Sequence, residues 1–253
     1  MVEGRPYVPV FINESGPFWL LFDTGCVGCS VTPKVAERLG LDVDEEGITC
    51  LGVLSIGLGC WENVKFGVSD ESPVAELVGR EFDGFFGNGF LYYVRETHDL
   101  LIDYPGQRLA FVQRQARPGG WPEGDIVQIS IQNYYTMVPV RVNDEGPYRF
   151  MLDTGASCCI VSPLLAQRLG LPRREPAIAR GAVDAVEGYR SVVRRLSLGS
   201  AALDDVEVVV MDCSRVSGYV GDRVDGYLGT SFLQHFAIML SYRDGVMSAR
   251  RAG

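Results

Sequence analysis

The chain contains two copies of one long sequence pattern, and this duplication constrains the fold more than any other feature. Residues 150–171, FMLDTGASCCIVSPLLAQRLGL, repeat residues 20–41, LLFDTGCVGCSVTPKVAERLGL, at an offset of 130 positions. Further along, DGYLGTSFL (225–233) matches DGFFGNGFL (83–91) at an offset of 142. Because only two long copies are present, we expect a pair of lobes related by a pseudo-twofold axis and not a solenoid.

Each copy has the signals of β-strands, with one short helix after its Asp-Thr-Gly triplet. Residues 138–153 form two extended runs separated by turn residues at 144–147, which predicts a hairpin with its turn there. A hydroxyl residue, a proline and a later glycine mark the ends of the helix that follows each triplet. These residues are Thr32, Pro33 and Gly40 in the first copy and Ser162, Pro163 and Gly170 in the second.

The predicted fold is all-β and bilobal. We expect an N-terminal lobe at residues 1–116, a linker at 117–125 that contains Pro and Gly, and a C-terminal lobe at 126–253. Hydrophobic residues make up 47% of the chain without a long apolar run, which predicts a soluble protein. The net charge of −9 argues against nucleic acid or an anionic membrane as a partner. Residues 1–6 lack the features of a signal peptide, so we expect a cytoplasmic protein, and we expect a monomer.

Asp23 and Asp153 are the ionisable residues of the two triplets, so they are the candidates for acid–base chemistry. Two carboxylates brought together across a pseudo-twofold axis repel each other, so the pair holds a single proton over a range of pH. The ionised carboxylate can take a proton from a water molecule while the protonated one donates to a carbonyl oxygen. Gly25 and Gly155 would allow the backbone to approach closely and present an N–H to each carboxylate. This arrangement predicts hydrolysis without a covalent intermediate.

The chain resembles the pepsin and retropepsin-like aspartic peptidases over nearly its whole length. That family pairs each triplet with a later segment of two hydrophobic residues and a glycine, and residues 85–87 (Phe-Phe-Gly) and 227–229 (Tyr-Leu-Gly) match this element. The resemblance implies a bilobal pepsin-like fold built from two retropepsin-like lobes, with the cleft between them and no cofactor. It also implies roles for six residues: Asp23 and Asp153 as the catalytic pair, Thr24 and Thr154 as an interlobe threonine grip, and Gly25 and Gly155 in support.

The two copies differ in two ways that bear on function. Pepsin-like lobes usually have Ser or Thr directly after the triplet, whereas this chain has Cys26 and Ala156. The alanine resembles that of retroviral-type enzymes and should leave the pair less acidic, whereas Cys26 is unusual for the family. The second copy also has 12 more residues between its helix and the Leu-Ser-Leu-Gly strand. Glycines around a short apolar tip predict a single hairpin flap that closes over the substrate. The predicted flap residues are Gly181, Val183, Asp184, Ala185, Val186 and Gly188.

The cysteines offer a competing metal or redox interpretation. Cys26 and Cys29 form a C-x-x-C pair beside the first triplet, and Cys158 and Cys159 lie beside the second. Without a second pair or histidines at ligand spacing, we favour reduced, packed thiols and no metal. Two functions remain open at this point. The first is an aspartic endopeptidase acting on a peptide or protein, with a dedicated processing role as one form of it. The second is a catalytically weak or inactive module that binds peptides in the same cleft.

Overall fold

The computed structural model of the chain describes residues 1, 4–116, 126–180 and 185–251. The linker predicted at 117–125 lies outside these residues. Strands dominate the described part of the chain, as the all-β prediction required. In the described ranges, no helix has the length and apolar character needed to cross a membrane.

The elements follow the order expected from two similar halves. The strands of the first half are β1 (Tyr7–Ile12), β2 (Ser15–Phe22), β3 (Ser30–Val31), β4 (Ile48–Ile56), β5 (Gly59–Val68), β6 (Gly84–Phe86), β7 (His98–Asp103) and β8 (Arg108–Gln113). Those of the second half are β9 (Ile126–Gln128), β10 (Ser130–Gln132), β11 (Tyr135–Val142), β12 (Glu145–Leu152), β13 (Cys159–Val161), β14 (Pro176–Arg180), β15 (Ala185–Leu198), β16 (Ala201–Met211), β17 (Gly226–Leu228), β18 (Phe236–Ser241) and β19 (Val246–Arg251). The helices are α1 (Pro33–Leu39), α2 (Ser72–Val78), α3 (Asn88–Val94), α4 (Pro163–Arg168), α5 (Ser214–Val220) and α6 (Thr230–Leu233), with a 3-10 turn at Arg114–Ala116.

The two halves have the same strand topology. In the first, which we call lobe 1, the order β1-β2-β6-β3-β5-β4 closes into a barrel through the pairing of β1 with β4. In the second, lobe 2, the order β11-β12-β17-β13-β16-β15 repeats it, and β11 pairs with β15 in the same way. Lobe 2 adds β10 at one end and β14 at the other. The sequence duplication therefore encodes a duplicated sheet order.

The hairpin predicted at 138–153 is present, but its turn is two residues long and lies earlier than the sequence suggested. Val142 pairs with Glu145, and the turn consists of Asn143 and Asp144, with φ of 54° and 67°. Positive φ at both central residues matches the right-handed twist of the flanking strands, as in a type I′ turn. Gly146 and Pro147 are therefore residues of β12 and not of the turn, so the predicted turn at 144–147 begins one residue and ends three residues too late.

The helix after each triplet has the predicted ends. The Thr32 hydroxyl accepts a hydrogen bond from the Val35 N–H at 3.4 Å, and the Ser162 hydroxyl accepts one from the Leu165 N–H at 3.3 Å. Gly40 and Gly170 have φ of 59° and 60°, the left-handed conformation in which glycine is favoured at a helix end. These caps fix where the chain leaves each triplet loop.

A third sheet joins the lobes, and the sequence analysis did not anticipate it. Its order is β8-β7-β18-β19-β9, so two strands of the first half and three of the second form one sheet that is joined through β7 and β18. Ile238 of β18 pairs with Ile102 of β7. One hydrophobic cluster runs through both lobes, with Phe22 and Phe86 from lobe 1 and Phe150 from lobe 2 among its fully buried members. The shared sheet and core hold the two triplets in a fixed relation.

Candidate active site

Each triplet begins where the second strand of a hairpin ends, and its aspartate is anchored by the hydrophobic-Gly segment of the same lobe. The Asp23 N–H donates to the Phe86 carbonyl and the Asp153 N–H to the Leu228 carbonyl, each at 3.1 Å. A Cβ added at Gly87 would lie 2.2 Å from the Gly28 carbonyl oxygen. A side chain is therefore excluded at that glycine, because real Cβ atoms do not approach backbone oxygen so closely. The predicted pairing of each triplet with its hydrophobic-Gly segment is present in both lobes.

Thr24 and Thr154 lock the two triplets together across the lobe interface. The Thr24 N–H donates to Thr154 Oγ1 and the Thr154 N–H donates to Thr24 Oγ1, each at 3.0 Å. Each hydroxyl then donates to a carbonyl of the other lobe, Thr24 to Leu152 at 2.9 Å and Thr154 to Phe22 at 2.7 Å. Both threonines are fully buried. Reciprocal bonds of this kind fix the relative position of the two aspartates, as the predicted grip required.

The two carboxyl groups meet over the triplet glycines. A Cβ added at Gly25 would lie 2.7 Å from Asp153 Cγ, and one added at Gly155 would lie 2.5 Å from Asp23 Cγ. Each carboxyl therefore lies directly against the glycine of the other lobe. The Asp23 and Asp153 side chains also hydrogen-bond to each other. The structure thus brings the six predicted residues of the two triplets into one site.

The hydrogen bonds to the two carboxyl groups are not the same. Asp23 Oδ1 accepts from the Gly25 N–H at 2.8 Å. Asp153 Oδ1 accepts from the Gly155 N–H at 3.0 Å and also from the Ala156 N–H at 2.9 Å. The equivalent N–H in lobe 1, that of Cys26, donates instead to the Asp23 backbone carbonyl at 3.2 Å. Because an N–H donor stabilises an ionised carboxylate, this difference favours the negative charge on Asp153.

Burial and mutual repulsion make the pair less acidic than ordinary aspartates. Burial first, and the charge of Asp153 second, raise the pKa of Asp23 to about 8. Burial also raises the pKa of Asp153, but the Ala156 N–H and the hydrogen bond with Asp23 oppose the shift. The two titrations belong to the pair. The second N–H donor on Asp153 favours ionisation of Asp153 over ionisation of Asp23.

The thiols beside the triplets are protonated and packed. Burial, followed by the charge of Asp23, raises the pKa of Cys26 to about 12, and its Sγ lies 3.5 Å from the Gly28 carbonyl oxygen. Cys29 and Cys159 occupy equivalent positions. Each has its Sγ 3.8 Å from the carbonyl oxygen of the glycine in the hydrophobic-Gly segment of its own lobe, Gly87 or Gly229. Burial raises the pKa of both to about 11. The thiolate is the metal-binding form, so protonated thiols are poor ligands. Across the described residues, no three His, Cys, Asp or Glu side chains cluster as metal ligands would.

Two residues beside the pair were missed from the sequence. Arg5 Nε donates to the Gly155 carbonyl at 2.8 Å. A cationic side chain of lobe 1 therefore contacts the second triplet. Tyr135 occupies the equivalent position in lobe 2. Burial, and then the charges of Cys26, Tyr219 and Asp23, raise the pKa of its phenol. The offset of 130 aligns Arg5 with Tyr135, so a comparison of the two copies would have shown that these positions differ.

A buried hydrogen-bond network also supports the first triplet and had no sequence signal. The Asn88 side-chain amide donates to the Thr24 carbonyl at 2.5 Å, and the Tyr242 hydroxyl donates to Asn88 Oδ1 at 2.6 Å. Thr136 of lobe 2 hydrogen-bonds to the same hydroxyl. The network therefore links the backbone of the Asp23 triplet to both lobes.

The 12-residue insertion of lobe 2 forms a strand pair, β14 with β15, as expected for a hairpin. Gly181, Val183 and Asp184 of the predicted flap lie outside the described residues. Ala185 opens β15 and pairs with Arg180, and Val186 packs with Ala177 against a small hydrophobic cluster of lobe 2. Tyr227 and Cys158 pack against the same cluster, and the charge of Asp153 adds to burial in raising the pKa of both. The hairpin therefore packs on a cluster of lobe 2 that also contacts residues close to the carboxyl pair.

Gly188 is a strand residue and not a hinge. A Cβ added there would lie 2.2 Å from the Val210 carbonyl oxygen, and Gly188 pairs with Ala177 on one side and Met211 on the other. The close approach of β16 explains why this predicted flap residue is a glycine. The next residue, Tyr189, is likewise held in the sheet, with the Arg173 guanidinium 4.5 Å above its ring.

Comparison with known proteins agrees with this geometry. Residues 138–232, which include the second triplet, match the aspartyl protease family model. No curated protein matches the sequence closely enough to count as a relative. Basic 7S globulin from soybean superposes with a TM-score of 0.55 at 10% identity, over 99% of this chain and 92% of the globulin. A retropepsin-like aspartic protease from Rickettsia conorii is 18% identical over 49% of this chain and 88% of its own, with a TM-score of 0.35.

At such low identity, the match to the soybean globulin establishes the fold alone, and it does so over nearly the whole chain. The resemblance drawn from the two triplets is thereby confirmed: lobe 2 matches the aspartyl protease family, and the chain has the mostly β, bilobal fold of pepsin-like proteins.

Proposed function

We propose that the protein is an aspartic endopeptidase that hydrolyses peptide bonds with a water molecule activated between Asp23 and Asp153. One observation carries the proposal: the two carboxyl groups meet across the lobe interface, each against the glycine of the other triplet. Their raised pKa values supply a base and an acid at one point near neutral pH.

The chemistry follows from the single proton of the pair. The ionised carboxylate takes a proton from water as the water oxygen bonds to the peptide carbon, and the protonated carboxyl donates its proton to the carbonyl oxygen. A neutral diol results. The C–N bond then breaks as the first carboxyl donates its new proton to nitrogen and the second recovers a proton from the diol. The products are a carboxylic acid and an amine, and the pair again holds one proton.

The hairpin of lobe 2 is the element that we propose to close over the substrate. An extended peptide in the cleft would run between the lobes, and Val186 and the residues before it would lie on the Asp153 side. Closure would hold the peptide extended and exclude water from the carboxyl pair. In this proposal Gly181, Val183, Asp184, Ala185 and Val186 contact the substrate, whereas Gly188 holds the base of the hairpin in the sheet.

Cleavage of a library of unstructured peptides, followed by mass spectrometry, tests the proposal. Wild-type protein should cleave a subset of the peptides, and hydrolysis in ¹⁸O-water should place one ¹⁸O in each new carboxyl group. Asp23→Asn and Asp153→Asn should each lower kcat/KM by more than about a thousandfold, because acid–base catalysis by the pair is lost. Asp42→Asn, at an exposed position outside the site, is the matched control and should cleave normally.

Two outcomes would count against the proposal. Substantial turnover by either triplet variant would contradict a shared-proton mechanism. Retention of peptides by the wild-type protein without any cleavage would favour a peptide-binding module that uses the same cleft. Activity should also fall above about pH 8, because Asp23 then loses the proton that it donates.

A further inference from the structure

The two lobes place different residues at one pair of equivalent positions beside the carboxyl groups. Arg5 and Tyr135 are 130 positions apart, the offset that aligns the triplets. Arg5 comes just before β1, and the Phe22 N–H donates to the carbonyl of its neighbour Pro6 at 2.8 Å, which holds this segment against the strand leading into Asp23. Tyr135 opens β11 in the same place relative to lobe 2. The pseudo-twofold axis thus relates a cation to a phenol.

Arg5 reaches across the interface to the second triplet. Its side chain is half-buried, and Nε donates to the Gly155 carbonyl at 2.8 Å. The segment before it also lies on lobe 2, since a Cβ added at Gly4 would be 3.2 Å from Thr230 Oγ1. A guanidinium is always protonated in a protein, so this contact brings a permanent positive charge to the Asp153 side of the site. Its charge opposes the rise that burial causes in the pKa of Asp153.

The other titratable groups around the pair are neutral near pH 7. On the Asp23 side these are the thiol of Cys26 and the half-buried phenol of Tyr135, and burial raises the pKa of both. On the Asp153 side, burial likewise raises the pKa of Cys158 and of Tyr227. None of these four groups can supply the positive charge that Arg5 supplies.

Two more groups complete the surroundings. Tyr104 lies buried among the core residues near both carboxyl groups, and burial followed by their charges raises the pKa of its phenol, so it too is neutral. Arg190 is an exposed residue of β15, and its charge opposes the rise that burial causes in the pKa of Cys158. Among these groups, Arg5 supplies the positive charge that acts on Asp153 itself.

We propose that Arg5 is a positioning residue that makes the two aspartates unequal, with the negative charge on Asp153 and the shared proton on Asp23. The second hydrogen bond to Asp153, from the Ala156 N–H, acts in the same direction. The catalytic consequence rests on the proposed peptidase function: Asp153 takes the proton from water, and Asp23 donates its proton to the carbonyl oxygen. When the C–N bond breaks, Asp153 gives that proton to nitrogen and Asp23 recovers one from the diol.

Carbon-13 NMR of selectively labelled aspartate carboxyls measures this asymmetry without any substrate. Asp23→Asn and Asp153→Asn assign the two signals. In Arg5→Gln the lower titration step of the pair should move up by about 1 pH unit, because a cation beside a carboxylate lowers its pKa by that order. Arg5→Lys keeps the charge and should restore most of the shift. Arg141→Gln removes an exposed arginine outside the site and is the matched control.

A reciprocal variant tests the idea even if Arg5→Gln fails to fold. Tyr135→Arg places a cation at the equivalent position beside Asp23, and the upper titration step of the pair should then move down. Where peptides are cleaved, the acidic limb of the kcat/KM profile in Arg5→Gln should shift by the same amount as the lower NMR step.

Identical titration of folded Arg5→Gln and wild type would overturn the proposal. So would an Arg5→Lys protein that titrates like Arg5→Gln, because the charge would then not be the cause. A protein that cleaves no peptide but shows the predicted titrations would contradict the peptidase function and leave the asymmetry established.

Discussion

Lobe 1 and lobe 2 have the same six-strand order, the same capped helix after the triplet and the same hydrophobic-Gly segment. They differ at the residue after the triplet, and at the position held by Arg5 in one and Tyr135 in the other. Lobe 2 also has the added strand β14, which pairs with residues 185–189 of β15; we call these two segments the extra strand pair. The shared parts build the pair of carboxyl groups. In our proposals, the differences decide which carboxyl is ionised and which lobe contributes the hairpin that closes over the substrate. A duplicated fold would then give a site in which the two aspartates have different roles.

After the aspartates themselves, the triplet glycines should show the largest effect, and they test whether the lobes contribute equally. Gly25→Ala and Gly155→Ala each place a Cβ within 2.7 Å of the opposite carboxyl group, which must move away. A shift of about 1 Å in a catalytic group costs about a hundredfold in rate, so kcat/KM should fall at least that far in both variants. Steady-state kinetics and thermal denaturation measure the outcome.

Gly28→Ala is the matched control for these variants, because a Cβ there meets open space in the same loop. It should retain activity near the wild-type level. A loss confined to one of the two triplet glycines would break the equivalence of the lobes, and unchanged activity in both would contradict the close contact between carboxyl and glycine.

The features that could be predicted from the sequence are those that occur in both of its aligned copies. The helix caps, the hairpins and the triplets with their glycine segments were recognisable because two aligned copies support each assignment. The turn of the lobe 2 hairpin was misplaced because Gly146 and Pro147 usually mark turns, whereas Asn143 and Asp144 adopt the positive φ that the two-residue turn needs.

The parts that the sequence did not predict depend on contacts between distant residues. The sheet that joins the lobes pairs Ile102 with Ile238, and no local pattern in either strand specifies its partner. The role of Arg5 depends on a contact with Gly155, 150 positions away. A difference between aligned copies marks such positions, but only the folded chain shows what the differing residue touches.

The extra strand pair should show the next largest effect. Replacing residues 177–188 by Asn-Gly would join Pro176 to Tyr189, which are already paired, through a two-residue hairpin turn. Lobe 2 would then have no hairpin at this position, like lobe 1. If the hairpin holds the peptide, kcat/KM should fall about tenfold or more, mostly through KM. Stability should fall only modestly, because Ala177 and Val186 are partly buried at the edge of their cluster.

Hydrogen exchange gives an independent measure of the same element. Amides of β14 and of residues 185–187 should exchange faster in the free protein than with a bound, uncleaved peptide, for which Asp23→Asn protein can be used. Leu58→Ser, at the fully exposed tip of the β4–β5 hairpin, serves as a lobe 1 control and should leave KM unchanged. An unchanged KM in the shortened protein would show that the strand pair is purely structural.

The residue after the triplet should show the smallest effect. Cys26→Ala makes lobe 1 match Ala156 of lobe 2, and it removes a thiol that is neutral, since burial and the charge of Asp23 raise its pKa to about 12. The Sγ contact with the Gly28 carbonyl, at 3.5 Å, is a weak one. We therefore expect kcat/KM to change by less than about threefold and slow alkylation of Cys26 at neutral pH. Cys26→Ser, which keeps a polar group, separates the loss of packing from the loss of the donor. If Cys26→Ala lost more than about tenfold in activity, or released one equivalent of a bound metal, the thiol would be part of the chemistry, and the similarity of the two lobes would end at their aspartates.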